Sequence, residues 1–284
     1  MNILEILKVI VLGIVEGITE WLPVSSTGHL ILVVELLPFN GTSENFFGMF
    51  DVVIQLGAIM AVVVLFWKEI WPFALTKKER KKTGNPSIVK MDIMTLWFKI
   101  LVSCVPAAVI GVLFSDVFDA LFYNYFCVAL ALIVFGIAFI IIENWNKGRS
   151  TKVNSLAEIS YQTALMIGVF QLIAAVFPGT SRSGATIVGA LLIGVSRTVA
   201  AEFTFFLAIP VMFGASLLKL VKFGFAFTSL ELALLLIGMI VAFLVSLFVL
   251  RFLMGYIKKH DFKVFGWYRI VLGLVVILYF AVLA

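Results

Sequence analysis

Charge is scarce in this chain of 284 residues: Asp, Glu, Lys and Arg make up 13% of it, against roughly 25% in soluble domains. With 63% hydrophobic residues and a mean hydropathy of +1.16, it has too little polar surface to cover a water-soluble fold. Cysteine is almost absent. Cys104 and Cys127 lie in apolar runs with no His or Cys close in sequence, which argues against a disulfide framework or a zinc knuckle and leaves both as packing residues. No basic stripe exists either, although the net charge is +5, because Lys and Arg collect in short loops between apolar runs. That pattern excludes nucleic acid as a partner and reports membrane topology instead. The first segment lacks the basic, apolar and small-residue succession of a cleavable signal and carries Glu16 and Glu20, so it is expected to be retained.

What is present is a series of apolar runs. Six of them, at 50–66, 96–114, 123–142, 199–218, 230–250 and 267–283, are long enough to span a bilayer at about 20 residues per crossing. Loop 68–90 carries Lys68, Lys77, Lys78, Arg80, Lys81, Lys82 and Lys90. The loops holding Lys147, Arg149 and Lys152, and Arg251, Lys258, Lys259 and Lys263, are also basic, whereas 40–45 and 115–119 contain no Lys or Arg. The three basic loops are therefore expected in the cytoplasm and both termini outside, with Lys219 and Lys222 running against the trend.

Two further apolar runs, 3–37 and 161–193, are broken in the middle by Pro, Ser, Thr and Gly. Each must enter and leave on one side, so both read as re-entrant, and their irregular backbone must face protein or a water-filled cavity. The runs also resemble each other: Gly13, Glu16, Pro23 and Ser26 align with Gly168, Gln171, Pro178 and Ser181 at a constant offset of 155. One broken segment and three spans per half make an odd number of crossings, which inverts the second half. The expected fold is an all-α polytopic membrane protein, with about six transmembrane helices plus two re-entrant broken-helix segments, in two inverted-topology repeats. The repeats cover approximately 1–145 and 158–284 of a single integral membrane domain, 1–284.

Chemistry concentrates at the two breaks. In the first, Glu16 and Glu20 share one helix face, where two carboxylates repel unless they share a proton or a hard divalent metal. Pro23-Val-Ser25-Ser26-Thr27-Gly28-His29 follows directly and supplies hydroxyls, a turn and an imidazole, the parts of a nucleophile with an adjacent acid or base. The second break reads Pro178-Gly179-Thr180-Ser181-Arg182-Ser183-Gly184-Ala185-Thr186. Glycines let the amides curl around an anion, hydroxyls add donors and the next helix presents its positive end. Arg182 would be costly in a membrane without an anion to meet its planar fork, unless it snorkels to the interface. Asp51 and Glu202, each opening the first span after a break, are given a supporting role, which the helix dipole explains. His260 reads as a surface residue, and Phe203, Phe205 and Phe206 as lipid-facing or packing residues.

With both motifs in this order, the chain resembles the bacterial undecaprenyl-diphosphate phosphatase family, also called the bacitracin-resistance phosphatases. The resemblance spans the whole chain and implies removal of the terminal phosphate from undecaprenyl diphosphate, giving the lipid carrier of envelope polymers. It implies a divalent metal ion, Mg2+ or Ca2+, with Glu16 and Glu20 holding it or positioning water. It also implies a bacterial inner membrane location with the active site open to the outer side. Ser26 or His29 would be nucleophile or general base. Arg182, with Ser181, Ser183 and Thr186 and the turn residues Ser25, Thr27, Gly179 and Thr180, would grip the diphosphate. Ser26, His29 and water all remain candidates for the attacking group. Besides the substrate and membrane lipid, a homodimer stays open. A secondary transporter or flippase of an anionic substrate or lipid would share inverted repeats and broken helices. The other large class of membrane lipid phosphatases needs a second His after its Ser-Arg motif, and none follows Arg182 before His260.

Overall fold

The computed structural model describes residues 3–38, 42–43, 46–74, 88–224 and 227–282; Lys77, Lys78, Arg80, Lys81, Lys82 and the last residue of the 267–283 run lie outside the described residues. Among the described residues, six helices are long and apolar enough to cross a membrane: Phe46–Leu65, Met91–Gly111, Tyr125–Asn146, Arg197–Phe223, Ser229–Ile257 and Lys263–Val282. They coincide with the six predicted runs and make this a multi-pass membrane protein. The first is α3 (Phe46–Val53) and α4 (Gln55–Leu65), and a short α5 (Trp67–Ile70) follows. The others are α6 (Met91–Phe122), α7 (Tyr125–Asn146), α10 (Arg197–Phe223), α11 (Ser229–Ile257) and α12 (Lys263–Val282).

Helix α6 runs past the predicted end at 114 and through the expected loop 115–119. Nothing between 115 and 122 is a Gly or Pro that would stop the helix. Elsewhere local signals set the starts. Asn124 caps α7 by accepting from the Cys127 N–H at 3.0 Å. Thr228 and Glu231 form a reciprocal capping box on α11.

The broken runs are helical hairpins: α1 (Ile3–Thr19) with α2 (Ser26–Leu36), and α8 (Tyr161–Val176) with α9 (Arg182–Leu192). In the first, Lys8 near the start of α1 donates to the Pro38 carbonyl just beyond α2 at 2.6 Å and pairs with Glu5 at 2.8 Å. In the second, Gly189 lies so close to α8 that a Cβ on it would sit 2.3 Å from the Phe170 ring. Ser25 and Ser181 turn the chain with φ of 75° and 68°, a region non-glycine residues rarely adopt. Each then caps the next helix, accepting from the Gly28 N–H at 3.3 Å and the Gly184 N–H at 3.2 Å. The equivalent caps are thus 156 residues apart (181 − 25), one more than the offset read from sequence. Gly179 and Thr180 separate Pro178 from its cap, whereas Val24 alone separates Pro23 from Ser25. Ser26 and Arg182 are each the first residue of the helix that follows a break.

Around the hairpins, α1 lies along α11 and α8 along α6, while α7 pairs with α12 and α10 covers α3 and α4. Small residues permit these approaches, as expected where lipid removes the hydrophobic drive between helices. A Cβ on Gly57 would stand 2.1 Å from the Met239 carbonyl oxygen of α11, and one on Gly168 2.3 Å from that of Ser103 in α6. Gly57→Ala and Gly168→Ala should therefore each cost about 1–3 kcal/mol through overpacking. Thermal unfolding in detergent followed by circular dichroism checks this, and an unchanged midpoint would contradict the close approach. Phe203, Phe205 and Phe206 are fully buried and so are packing residues, not lipid-facing ones. Trp21 meets Phe205 edge to face at 5.5 Å. Both cysteines are free.

Candidate active site

The two hairpin tips meet on one carboxylate. Glu20, in the first break, accepts from Ser26 Oγ through Oε2 at 3.0 Å and from Arg182 Nη2 through Oε1 at 3.0 Å. Its backbone oxygen accepts from Ser183 Oγ at 3.2 Å, and Ser183 in turn bonds Ser181 Oγ at 3.0 Å. Arg182 also donates from Nη1 to the Thr204 carbonyl of α10 at 3.1 Å. The pair is nearly dry, with side chains 13% and 8% exposed for Arg182 and Glu20. Ser26 and Arg182 are the first residues of α2 and α9, so two helix N-termini come together at this carboxylate, which suits an anion.

Unmet buried polar groups occur in and beside both broken runs. Glu16 is completely buried and neither carboxylate oxygen has a hydrogen-bond partner. Gln171, Thr180 Oγ1, Arg182 Nε and Trp21 Nε1 are likewise buried without partners. Glu16 lies within electrostatic reach of Glu20, Asp51 and Arg182. Buried polar atoms are usually more than 90% satisfied, so this concentration marks a place built for something polar. A divalent cation fits the donors: two carboxylates and a hydroxyl are hard oxygen ligands, and Mg2+ typically takes one or two carboxylates plus substrate phosphate and water. Among the described residues no group of three or more His, Cys, Asp or Glu stands together, so protein carboxylates alone would not complete its shell.

Some expected site residues are engaged elsewhere. His29 Nδ1 lies 2.7 Å from the Ser25 carbonyl, which can only accept; Nδ1 must carry the proton, leaving Nε2 to accept from Tyr268 OH at 2.7 Å. Among the described residues, neither ring nitrogen touches Ser26 or a carboxylate. Thr186 is fully buried, its hydroxyl shared among the Arg182 and Ser183 carbonyls and Thr204 Oγ1 at 2.9, 3.2 and 2.9 Å. It anchors the first turn of α9 to α10 and has no free donor for a diphosphate. Thr27 is half-buried in the first turn of α2. Gly179, at φ 89°, allows the break to touch α7, since a Cβ there would lie 2.5 Å from the Val128 oxygen. Glu202 neighbours Lys258 and Glu69 instead of the breaks, whereas Asp51 joins the field around Glu16.

Arg269 was not singled out from the sequence. Completely buried on α12, it donates to the carbonyls of Pro23 at 3.2 Å, Gly179 at 3.0 Å, Thr180 at 2.7 Å and Leu132 at 3.4 Å. One guanidinium thus clasps both tips. The signal was available, because Arg269 falls inside the predicted run 267–283, where charge is costly and usually functional. Tyr268 and Thr204 carry no such signal.

Comparison with known proteins gives this geometry a family. The chain is 66% identical over 281 residues to an undecaprenyl-diphosphatase of Desulfitobacterium hafniense, covering 99% of this chain and 98% of that protein. It is 61% identical over 282 residues to undecaprenyl-diphosphatase 1 of Clostridium acetobutylicum (99% and 100% covered) and to an undecaprenyl-diphosphatase of Enterococcus faecalis (99% of each). The family described as bacitracin resistance protein BacA matches residues 9–275. With both breaks inside that match and nearly the whole chain aligned to such relatives, the chain belongs to the BacA family of bacitracin resistance proteins.

Proposed function

We propose that this protein hydrolyses undecaprenyl diphosphate to undecaprenyl phosphate and inorganic phosphate, recycling the lipid carrier for cell-wall synthesis. The observation that carries the reading is Glu20 held between the Ser26 hydroxyl and the Arg182 guanidinium at the meeting of two helix N-termini. The relatives' names supply the substrate.

Arg182 and the amides opening α2 and α9 bind the terminal phosphate, with Ser181, Ser183 and Thr180 Oγ1 lining it. Diphosphate oxygens take over the arginine from Glu20, which frees that carboxylate to accept the Ser26 proton. Ser26 Oγ then attacks the terminal phosphorus, and the bond to the bridging oxygen breaks, so that undecaprenyl phosphate leaves. Water next cleaves the phosphoserine, releasing inorganic phosphate and restoring the Ser26 hydroxyl. Glu16 and Glu20 would hold a divalent cation, which when bound would supply positive charge against the phosphoryl oxygens. His29, tied to the Ser25 carbonyl and to Tyr268, positions the first break.

The same reading places the protein in the bacterial inner membrane, with the site open to the outer side and the basic loops in the cytoplasm. Two inverted halves are supported by the packing: the pairs α1–α11 and α8–α6 exchange when one half is mapped on the other, and α7–α12 maps on itself.

The test is phosphate release from undecaprenyl diphosphate by purified protein in detergent, with and without chelator. Absence of release by folded protein with either Mg2+ or Ca2+ would leave the transporter reading in its place. Ser26→Ala should lower release at least about 10²-fold and remove a phosphoserine trapped by acid quenching. His29→Gln should lower it by only about tenfold. An equal loss at His29 with no effect at Ser26 would transfer the nucleophile to the imidazole.

A further inference from the structure

A second polar concavity lies at the opposite end of α9. That helix opens at the catalytic tip with Arg182 and closes at Leu192; its 11 residues span about 16 Å at about 1.5 Å per residue. Beyond Leu192, an open cavity of about 320 Å³ is lined by the end of α7, residues 149–151, the segment opening α10 and the end of α11. This is the low end of the size range of small-ligand sites. Its walls are held in place: Lys152 N–H donates to the Gly194 carbonyl at 2.8 Å, Ser196 N–H to that of Val153 at 2.9 Å, and Asn146 Nδ2 to that of Leu191 at 3.0 Å.

The lining charge is one-sided. Glu202 lies near Lys258, and Asp261, itself paired with Lys263, lies near Arg197, but among the lining residues Arg149, Arg197 and Lys258 meet one carboxylate, Glu143. That carboxylate is already spent. It is buried, accepts from Arg197 Nε at 2.9 and 3.1 Å and from Nη2 at 2.5 Å, and takes the Phe262 N–H at 2.9 Å. Among the described residues, Arg197 Nη1 makes no hydrogen bond. The Arg149 guanidinium lies 4.0 Å over the Trp145 ring, and neither it nor Lys258 has an ion pair among the described residues. Ser196 stands at the start of α10 but makes no side-chain capping bond, so the first amides of a helix of 27 residues remain available beside the cavity.

We propose that this cavity binds a phosphate group, separately from the catalytic tip. The Arg149 fork, the remaining Nη1 of Arg197, a lysine and a helix N-terminus suit an anion with several acceptor oxygens, supplied by inorganic phosphate or by a phosphomonoester lipid headgroup.

The experiment uses full-length protein in phosphatidylcholine nanodiscs and two probes: radiolabelled inorganic phosphate, and phosphatidic acid doped into the discs. Both are applied to Arg182→Ala protein, in which the catalytic tip has lost its own anion contact, and to the same protein carrying Arg149→Gln and Lys258→Gln. Affinity should fall at least about tenfold on removing the two cations. A fall for inorganic phosphate alone assigns a soluble anion, a fall for phosphatidic acid alone assigns a lipid headgroup, and either supports the site. Equal binding of both probes by the two proteins overturns it. Arg149→Lys with Lys258→Arg should keep binding; its loss there, in protein with an unchanged thermal midpoint, would also overturn a site built on charge.

Discussion

Arg182→Ala should lower phosphate release by about 10³-fold or more, the size of effect expected when a guanidinium that stabilises a transferring phosphoryl group is removed. Glu20→Gln should cost about 10²–10⁴-fold, because the amide keeps the shape but cannot accept the Ser26 proton or hold a cation. The two changes should not add. Arg182 and Glu20 are partners in one nearly dry ion pair, so the double variant should be scarcely slower than the worse single one. Glu20→Gln should also weaken the fold more than Arg182→Ala, since it leaves a buried arginine without its anion. Arg182→Lys separates charge from geometry: a point charge replaces the fork, so release should recover only in part. Steady-state release measured beside thermal midpoints checks all four proteins. Release within tenfold of wild type in Arg182→Ala would remove that residue from the phosphate.

Arg269→Met should lose stability and activity together. Its guanidinium satisfies carbonyls from both breaks and from α7, and hydrogen bonds from a charged donor contribute about 1.5–3 kcal/mol each. Methionine matches the stem but leaves those carbonyls buried without a donor, so a loss of at least about 3 kcal/mol is expected. The tips would then separate, and Ser26 and Arg182 would no longer meet on Glu20. The contrast with Arg182→Ala is the informative part: that variant should be folded and inactive, whereas Arg269→Met should show a lowered midpoint and slow release. Full activity and an unshifted midpoint in Arg269→Met would mean that other contacts hold the tips.

Much of this architecture was legible before any coordinates. Each span is a contiguous apolar run, and a bilayer selects such runs one at a time. The breaks were legible for the same reason, since Pro23, Pro178 and the hydroxyl-rich residues after them act on their own backbone neighbours. Partners were harder. Thr186 resembles a phosphate ligand in sequence, yet Thr204 claims its hydroxyl from another helix. His29 resembles a catalytic base, yet Tyr268, 239 positions away, occupies its free nitrogen.

The amino-acid order by itself therefore determined the membrane class, the number of spans, the two broken helices and the short stretches where chemistry sits, all consequences of interactions within about one helix length. Tertiary structure alone decided that Ser26 and Arg182 meet on Glu20, and that Arg269 clasps both tips from 246 positions beyond Pro23. Those outcomes depend on which distant backbone groups a buried donor reaches, and the sequence holds no distances from which to read them.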